Sequence, residues 1–377
     1  MRTICNITVS HRRNDSRIFQ RQCCLESQHY ETHLLVTDNE RSELQRGIHI
    51  HGIRLSRFMR SFRIFLVYKA YQKAKTLEVD TYVLHDPELL LIALLLKKKG
   101  KCIIWDCHEY YRLQTHANPS RLYRTLISFY MTVVETCVIP RLDGIMAANP
   151  GIAKLLKRKY AKSIFVLNNY ATIRQFKNVQ FPNFEHVRCV LYTGGFTNGI
   201  LNAVHALTLC KNDIKFILRV KEGFRLIDDR SLLFNTRCSF EVDYEKNASF
   251  EQVQLLHRKC FAGFIMHENS FGDLPVSSNK CYEYMAQGLP VIVIGGSSSK
   301  YYKNLVYNNG YPLGLCVNSD PQAIADAIDY LYENKEVART MGMNGRKAFE
   351  TKYNFESEAD GFLKFLEEVS QSKNQNK

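Results

Sequence analysis

Short apolar segments that alternate with helical patterns along the whole chain constrain its fold more than any other feature. In the first half, the apolar runs have the length of buried strands, and helical periodicity returns between them. Because parallel strands need helical crossovers, this order predicts doubly wound α/β sheets. The clearest predicted strands are Thr3–Val9, Thr32–Val36, Thr81–Leu84, Cys102–Trp105 and, in the second half, Cys189–Tyr192.

The length of the chain predicts two domains, because 377 residues exceed what one compact core normally holds. The stretch 168–187 has Asn-Asn-Tyr, a proline and little periodicity, which is typical of a linker. We therefore expect a first domain over 1–170 and a second over 171–355. Residues 356–377 are expected to form a C-terminal helix and tail.

The basic charge of the chain is unevenly distributed. The net charge is +14, and nearly all of the excess lies in the first half. Segment 54–75 combines many basic residues with aromatic and aliphatic ones and has no acid, so it could bind anionic lipid or form a helix with its apolar side in the core. No nucleic-acid-binding motif is present, so no nucleic acid partner is expected. The basic residues are Arg54, Arg57, Arg60, Arg63, Lys69, Lys73 and Lys75.

The cysteine pattern and the hydropathy predict where the protein works. The 12 cysteines form no C-x-x-C pair and no Cys/His set at zinc spacing, which is typical of free thiols in a reducing compartment. The first ten residues lack a signal-peptide pattern, and no apolar run reaches the length of a membrane span. We expect a cytoplasmic protein, peripheral at the inner face of the cytoplasmic membrane if segment 54–75 binds lipid.

Polar side chains follow three of the predicted strands in the first half. The carboxyl ends of parallel strands meet at one edge of a sheet, where ligands bind. A lone histidine is more often structural, but three polar clusters at three strand ends indicate a binding site. The residues are His11, Asp15, His85, Asp86, Asp106, His108 and Glu109.

In the second half, segment 277–293 reads as a polar loop, a short helix, a Gly-x-Pro stop and a buried strand. Lys280 and Glu283 lie in the first turn of that helix. A helix N-terminus with a lysine suits an anion such as a diphosphate, and Glu283 can accept hydrogen bonds from sugar hydroxyls. The alternative is an ordinary capped helix before a core strand.

The order Asn279-Lys280-x-x-Glu283-Tyr284-Met285-x-x-Gly288-x-Pro290 resembles the donor-sugar motif of retaining glycosyltransferases of family four. Other segments extend the resemblance nearly from end to end, including a paired HDPELL and D-x-H-E pattern of a polysaccharide-type branch. These segments are 11–19, 85–90, 106–109, 167–170, 192–195, 341–346 and 352–355.

The resemblance implies the α/β GT-B fold, in which two doubly wound Rossmann-like domains face a central cleft and the C-terminal helix returns to the first domain. The first domain would bind the acceptor and the second the nucleotide sugar. The implied reaction moves a hexose-type sugar from a nucleoside diphosphate to an acceptor hydroxyl with retention. The acceptor would be lipid-linked or a polysaccharide, as in bacterial surface-polysaccharide or lipopolysaccharide biosynthesis. Neither a metal nor a cofactor is implied.

The resemblance also implies roles for individual residues. Lys280 would stabilise the leaving diphosphate, Glu283 would orient the ribose or the donor sugar, and His108 would line the reaction centre; these three are the expected catalytic residues. The other donor-side residues would be Gly194, Gly195, Asn279 and Arg219, and the acceptor-side residues His11, Asp15, His85, Asp86 and Glu109.

Two positions depart from the pattern of the family. Pro275 stands where many members have the first of two glutamates, and Asn198 stands where many have a phosphate-binding Arg or Lys. Lys280, with Arg219 or Lys221, would then carry the positive charge, because Asn replaces a bidentate Arg poorly. The alternatives are a nucleotide-sugar epimerase of the same fold and a degenerate member that is non-catalytic or binds nucleic acid.

Overall fold

The chain folds into two compact units, each built on a largely parallel sheet. The computed structural model describes residues 2–56, 62–98, 100–109, 121–160, 164–195, 197–220, 240–243, 250–267, 278–308 and 310–372. The first unit comprises Met1–Asn169 together with Glu358–Lys377, and the second comprises Tyr170–Ser357. The prediction of doubly wound parallel sheets is confirmed.

The first unit is built on an eight-stranded sheet. Its strands are β1 (Thr3–Thr8), β2 (Glu31–Val36), β3 (Glu43–Gln45), β4 (Ile48–Gly52), β5 (Thr81–Leu84), β6 (Cys102–Cys107), β7 (Gly144–Ala147) and β8 (Ile164–Val166). Their order across the sheet is β3-β4-β2-β1-β5-β6-β7-β8. Neighbouring strands are parallel except β3 and β4, which are antiparallel.

Helices cover both faces of this sheet. They are α1 (a π-helical stretch Ile18–Cys23 continued by Cys24–Glu26), α2 (Arg63–Ala74), α3 (Leu90–Lys97), α4 (Arg121–Val133) and α5 (Pro150–Lys159). On one face, alternate strand residues such as Ile7 and Leu84 pack against α2, α3 and α5. On the other face, Ile18 and Phe19 of α1 pack against Leu34 and neighbouring apolar residues.

Two features of the first unit differ from the sequence-based expectation. The apolar periodicity over 120–139 is typical of one long helix, but α4 ends at Val133 and a π-helical stretch, Val134–Val138, follows it. The hairpin of β3 and β4 was not predicted, because β3 has only three residues and all of them are exposed. Such a strand has no buried face and therefore no period-two pattern.

The second unit is built on a six-stranded sheet in the order β11-β10-β9-β12-β13-β14. Its strands are β9 (Cys189–Gly194), β10 (Lys215–Val220), β11 (Phe240–Asp243), β12 (Cys260–Met266), β13 (Val291–Ile294) and β14 (Gly314–Val317), all paired in parallel. Its helices are α6 (Asn198–Leu209), α7 (Phe250–Arg258), α8 (Asn279–Ala286), α9 (Lys300–Tyr307), α10 (Pro321–Glu333) and α11 (Lys335–Thr351).

Helix α10 begins where its capping residues predict. The Asp320 carboxylate accepts a hydrogen bond from the Ala323 backbone N–H at 3.0 Å, and Pro321 occupies the first turn, where its missing N–H is harmless. Helix α9 and strand β14 were not predicted; both are short, and β14 has only one fully buried residue.

The last helix, α12 (Ala359–Ser372), packs on the sheet of the first unit, which confirms the expected return. Its Phe365 ring stacks on Phe165 with centroids 5.3 Å apart. A Cβ at Gly144 would lie 2.8 Å from Phe365, so only glycine permits this approach. The Asn354 amide donates to the Phe349 carbonyl at 2.7 Å just after the end of α11, so the helical pattern over 338–369 is divided between α11 and α12.

Candidate functional site

Three histidines at the carboxyl ends of β1, β5 and β6 lie together, as the sequence predicted. The strands are neighbours, and the register pairs Ile7 with Leu84 and Leu84 with Trp105. The ring centroids of His11 and His108 are 4.9 Å apart, and those of His85 and His108 are 5.4 Å apart. We call His11, His85 and His108 the histidine cluster.

Asp106 is the fully buried anchor of this cluster. Its carboxylate accepts hydrogen bonds from Arg17 Nε at 2.9 Å and Nη2 at 2.7 Å, from Gln22 Nε2 at 2.7 Å and from His108 Nε2 at 3.1 Å. Burial by itself would raise the pKa of Asp106, but the Arg17 charge and the His108 hydrogen bond hold that pKa well below its ordinary value. The anchor is therefore an ionised carboxylate with a fixed set of donors.

His11 is held by two other carboxylates. Its Nδ1 lies 3.2 Å from Asp15 Oδ2, and its Nε2 lies 3.7 Å from Asp86 Oδ1. The hydrogen bond with Asp15 raises the pKa of His11, and burial opposes it. Asp86 is itself fixed, since its Oδ2 accepts from the Thr8 hydroxyl at 2.8 Å and the Val9 N–H at 2.7 Å. His11 therefore carries a charge more readily than His85, whose pKa burial lowers.

His85 lies behind His108 in a buried polar chain. Its Nε2 is 2.8 Å from Asn6 Oδ1, and Asn6 Nδ2 donates to Glu26 Oε2 at 2.5 Å. Burial lowers the pKa of His85 and raises the pKa of Glu26 to about 8. Asn6 and Glu26 were not among the predicted site residues; the signal for Asn6 was an amide inside an otherwise apolar strand.

The structure corrects the expected exposure of two acceptor-side residues. His85 and Asp86 are 0% and 1% exposed, so both act on the site through other residues and do not face an acceptor. His11 lines a cavity of about 740 Å³ together with Ser10, Arg12 and Asn14. Glu109 is exposed, and its carbonyl oxygen accepts a hydrogen bond from Cys107 Sγ at 3.2 Å.

One group of side chains has the composition of a metal site. His85, Asp106 and His108 each place a ligand atom within 4.8 Å of the others, the one such group in the ranges that the structure describes. The Arg17 guanidinium already neutralises Asp106 through two hydrogen bonds. A divalent cation would have to displace or oppose that charge, so we interpret the group as a hydrogen-bonded cluster.

In the second unit, the predicted motif forms α8 and its cap. The Ser278 hydroxyl accepts from the Lys280 N–H at 3.3 Å. Lys280 Nζ and Glu283 Oε2 form an ion pair of 2.9 Å within the first turn, with side chains 33% and 25% exposed. Asn279 is exposed at the start of the helix. The two charges satisfy each other while remaining accessible to solvent.

Helix α8 is fixed to the glycine loop after β9 by one tyrosine. The Thr193 N–H donates to the Tyr284 hydroxyl at 3.2 Å, one residue before Gly194. The Tyr284 ring lies against Gly263, where a Cβ would come within 2.5 Å of it. Gly194 and Gly195 therefore lie close to the helix that carries Lys280, as a donor site requires.

His257 lies beside the charged residues of this region and was not predicted. Burial lowers its pKa to about 4, and the charges of Glu283, Lys280 and Arg219 also act on it. Its Nδ1 is hydrogen-bonded to the Gln287 amide, while its Nε2 has no partner in the part of the chain that the structure describes. Arg219 lies opposite Thr193 in the register of β10 and β9, on the same sheet edge.

Three residues named for the donor site cannot be placed in this geometry. Pro275 and Lys221 lie outside the described residues, and Asn198 begins α6 without a described side chain. The predicted donor-side residues that the structure describes are Gly194, Gly195, Asn279, Lys280, Glu283 and Arg219.

Comparison with known proteins identifies the fold. No family model and no curated protein matches this sequence. Sucrose-phosphate synthase from Thermosynechococcus elongatus is similar with a TM-score of 0.75 at 15% identity, covering 99% of this chain and 100% of that one. HepE from Anabaena, in complex with UDP and glucose, has a TM-score of 0.68 at 13% identity and covers 98% and 100%.

A third similar structure is WaaG, a glycosyltransferase involved in lipopolysaccharide biosynthesis, with a TM-score of 0.65 at 12% identity over 95% of this chain and 98% of that one. At such identities the likeness shows the fold and not the activity. The chain has the GT-B fold of two Rossmann-like units, as its sequence predicted.

Proposed function

We propose that the protein is a retaining glycosyltransferase that moves a hexose from a nucleoside diphosphate to an acceptor hydroxyl. The observation that carries the proposal is the Lys280–Glu283 pair in the first turn of α8, which Tyr284 fixes to the end of β9. Support comes from the fold, since similar structures were solved with UDP and with UDP-glucose. The sequence motif around Lys280 supports it independently.

The donor would bind by exchanging partners with this ion pair. A diphosphate would take the Lys280 ammonium and would replace Ser278 as the acceptor for N–H groups in the first turn of α8, where the helix dipole also favours negative charge. Glu283 would then be released to accept hydrogen bonds from ribose or sugar hydroxyls. Since Lys280 and backbone N–H groups supply the positive charge, the scheme needs no metal or cofactor.

The acceptor would bind at the first unit, next to the histidine cluster. The cavity beside His11 is lined by hydroxyl, amide and charged side chains, including Ser10, Asn14 and Asp38. Such a lining fits a polyhydroxylated acceptor better than an apolar one. His108 would contact the reacting sugar, and His11 with Asp15 would contact the acceptor.

The first unit also exposes a surface suited to anionic lipid. In α2 the residues Leu66, Val67 and Ala70 are buried in the core, yet a second set of large apolar side chains points outward next to Lys69. The buried residues fit a helix with its apolar side in the core, and the exposed apolar residues support the lipid-binding interpretation. The exposed residues of α2, its N-cap, α3 and α4 are Phe62, Ile64, Phe65, Tyr68, Leu91, Leu95, Leu126, Phe129 and Val133.

This surface supports peripheral binding at the inner face of the cytoplasmic membrane, where the enzyme would meet a lipid-linked acceptor of surface-polysaccharide or lipopolysaccharide assembly. Each basic residue near an anionic surface contributes about 1 kcal/mol. Among the described residues, no helix is long and apolar enough to cross a bilayer.

Ligand-dependent stability tests the nucleotide-sugar part of the proposal. The full chain is unfolded thermally with UDP-, GDP-, ADP- and CMP-sugars in the presence of a chelator. A ligand at one hundred times its dissociation constant adds about 2.7 kcal/mol, so one nucleotide series should raise the unfolding temperature. Lys280→Ala should lose that shift, while Lys303→Ala, an exposed lysine of α9, should keep it. Absence of any shift would contradict the proposal.

Product stereochemistry tests the retaining mechanism. With the stabilising donor and a panel of simple glycoside and lipid-linked acceptors, proton NMR of the product reads its anomeric configuration. We expect the configuration of the donor. An inverted product would leave sugar transfer intact and contradict retention alone.

Vesicle binding tests the lipid surface. Flotation with vesicles containing anionic phospholipid should recover the wild-type protein and much less of Ile64→Ser/Lys69→Glu, which alters two exposed residues of α2. Leu201→Ser/Lys303→Glu makes matched changes on the second unit and should bind like the wild type. Equal flotation of both variants would contradict the assignment of this surface.

A further inference from the structure

Glu26, Asn6 and His85 form a buried polar chain that leads to His108, and these three residues have no part in the proposed reaction so far. All four side chains lie at or below the end of the first sheet, and three are buried completely. Only His108, with a side chain 10% exposed, reaches the surface. Polar side chains inside a core need hydrogen-bond partners. Each hydrogen bond along this chain therefore limits which atom of the next side chain can carry the hydrogen.

The constraint starts at Glu26. Its Oε2 accepts from Asn6 Nδ2 at 2.5 Å, which turns Asn6 Oδ1 towards His85 Nε2 at 2.8 Å. An amide oxygen can only accept, so His85 Nε2 carries the hydrogen. The orientation of one amide thus decides the tautomer of a buried histidine.

The constraint then passes to His108. With its hydrogen on Nε2, neutral His85 offers a lone pair at Nδ1, which faces His108 Nε2 at 3.2 Å and Asp106 Oδ2 at 3.3 Å. Ionised Asp106 has no hydrogen to donate, so the donor is His108 Nε2–H. The same hydrogen also points at Asp106 Oδ2, 3.1 Å away.

We propose that Glu26 and Asn6 are positioning residues that hold His108 as the Nε2–H tautomer, so that its Nδ1 is the acceptor offered to a substrate hydroxyl. Nδ1 of His108 has no partner among the described residues. The group that meets it must therefore donate a hydrogen, as a sugar hydroxyl does and an ionised phosphate does not. That the hydroxyl belongs to a sugar rests on the proposed function.

The opposite tautomer would need a coordinated change. Asn6 would have to flip, which places its oxygen against Glu26 Oε2, and protonated Glu26 would have to carry its hydrogen on that same oxygen. His108 would then present its Nε2 lone pair to the Asp106 carboxylate at 3.1 Å, where two acceptors repel. Glu26 therefore favours one orientation of the Asn6 amide. That orientation in turn favours one tautomer of His85 and one tautomer of His108.

Ring ¹⁵N NMR of the full chain tests the proposal without substrate. The shifts of Nδ1 and Nε2 distinguish the two neutral tautomers, and His108→Gln assigns the signals. The wild type should show His108 protonated at Nε2. Glu26→Gln keeps an oxygen acceptor for Asn6 and should give the same spectrum, whereas Glu26→Leu removes it and should give a mixture of tautomers. If Glu26→Leu does not fold, Asn6→Leu serves the same purpose.

Turnover supplies the second readout. A catalytic histidine held in the wrong tautomer turns over much more slowly in other enzymes. The kcat of Glu26→Leu should therefore fall by about tenfold or more, whereas the kcat of Glu26→Gln should not. A wild-type His108 protonated at Nδ1, or an unchanged His108 spectrum in Glu26→Leu, overturns the proposal. A wild type with the expected tautomer but no sugar transfer would overturn the proposed function and leave the tautomer assignment standing.

Discussion

The two candidate ligand regions lie at the ends of parallel strands but differ in how their charges are held. In the first unit, Asp106 is fully buried and accepts hydrogen bonds from several fixed donors. In the second unit, Lys280 and Glu283 are partly exposed and form an ion pair across one helical turn. The first region is part of the core and presents prearranged groups, whereas the second can exchange partners when a ligand arrives.

This difference predicts that Asp106→Ala has the largest effect on stability. It leaves the Arg17 guanidinium, which is 5% exposed, without its carboxylate. Removing one partner of a buried ion pair typically costs about 3–5 kcal/mol. Urea unfolding should show a loss of that size. A loss below about 1 kcal/mol would mean that Asp106 is not an anchor.

Lys280→Ala should separate function from stability in the second region. Removing a group that stabilises developing charge typically lowers kcat by about 10²–10³-fold, and a partly exposed lysine contributes little to folding. Steady-state kinetics with the stabilising donor should show the loss while urea unfolding stays within about 0.5 kcal/mol of the wild type. Unchanged kinetics would contradict the role of Lys280.

The buried acid of the first region should make stability depend on pH. Burial raises the pKa of Glu26 to about 8, so between its ordinary value of 4.5 and that value the folded state binds a proton that the unfolded state lacks. Stability therefore falls as pH rises through this window. Glu26→Gln removes this pH dependence. The unfolding free energy of the variant should therefore increase relative to that of the wild type as the pH rises from about 5 to about 8.

Urea titrations of both proteins across that range measure the difference. His11, whose pKa is also raised, is present in both proteins and largely cancels in the comparison. A constant difference between wild type and Glu26→Gln would show that Glu26 is ionised in the folded protein.

Glu283→Ala should have the smallest effect on folding. Ion pairs one helical turn apart contribute about 0.2–0.5 kcal/mol, and this pair is partly exposed. Its unfolding free energy should therefore change by less than about 0.5 kcal/mol. A loss above about 1.5 kcal/mol would mean that Glu283 is held by the fold and is not free to meet a ligand.

The sequence predicted those parts of the molecule whose burial leaves a periodic pattern. Strand β5 has the expected bounds, because the run Thr81–Leu84 is buried on both faces. The convergence of His11 and His108 followed from parallel strands sharing one edge. The doubly wound sheets therefore followed from local patterns, whereas the GT-B fold was implied by the family resemblance.

Partners that depend on tertiary packing could not be predicted. Asn6 and Glu26 are 20 positions apart, and nothing local pairs them. Arg17 reaches Asp106 across 89 positions and the Leu167 carbonyl across 150. The burial of His85 and Asp86 was also not predicted. Their motif specifies the residue types, but how far the side chains lie below the surface depends on tertiary packing.

Calorimetric titration with the donor nucleotide, in the presence of a chelator, is the most direct test of the proposal that Lys280 binds the donor. Wild type, Lys280→Ala and Asp15→Asn are compared, the last being a residue of the first unit placed on the acceptor side. We expect the wild type and Asp15→Asn to bind with similar affinity, and Lys280→Ala to bind at least about tenfold more weakly, or by about 1.4 kcal/mol. Equal affinity of all three proteins, or no binding to the wild type, would contradict it.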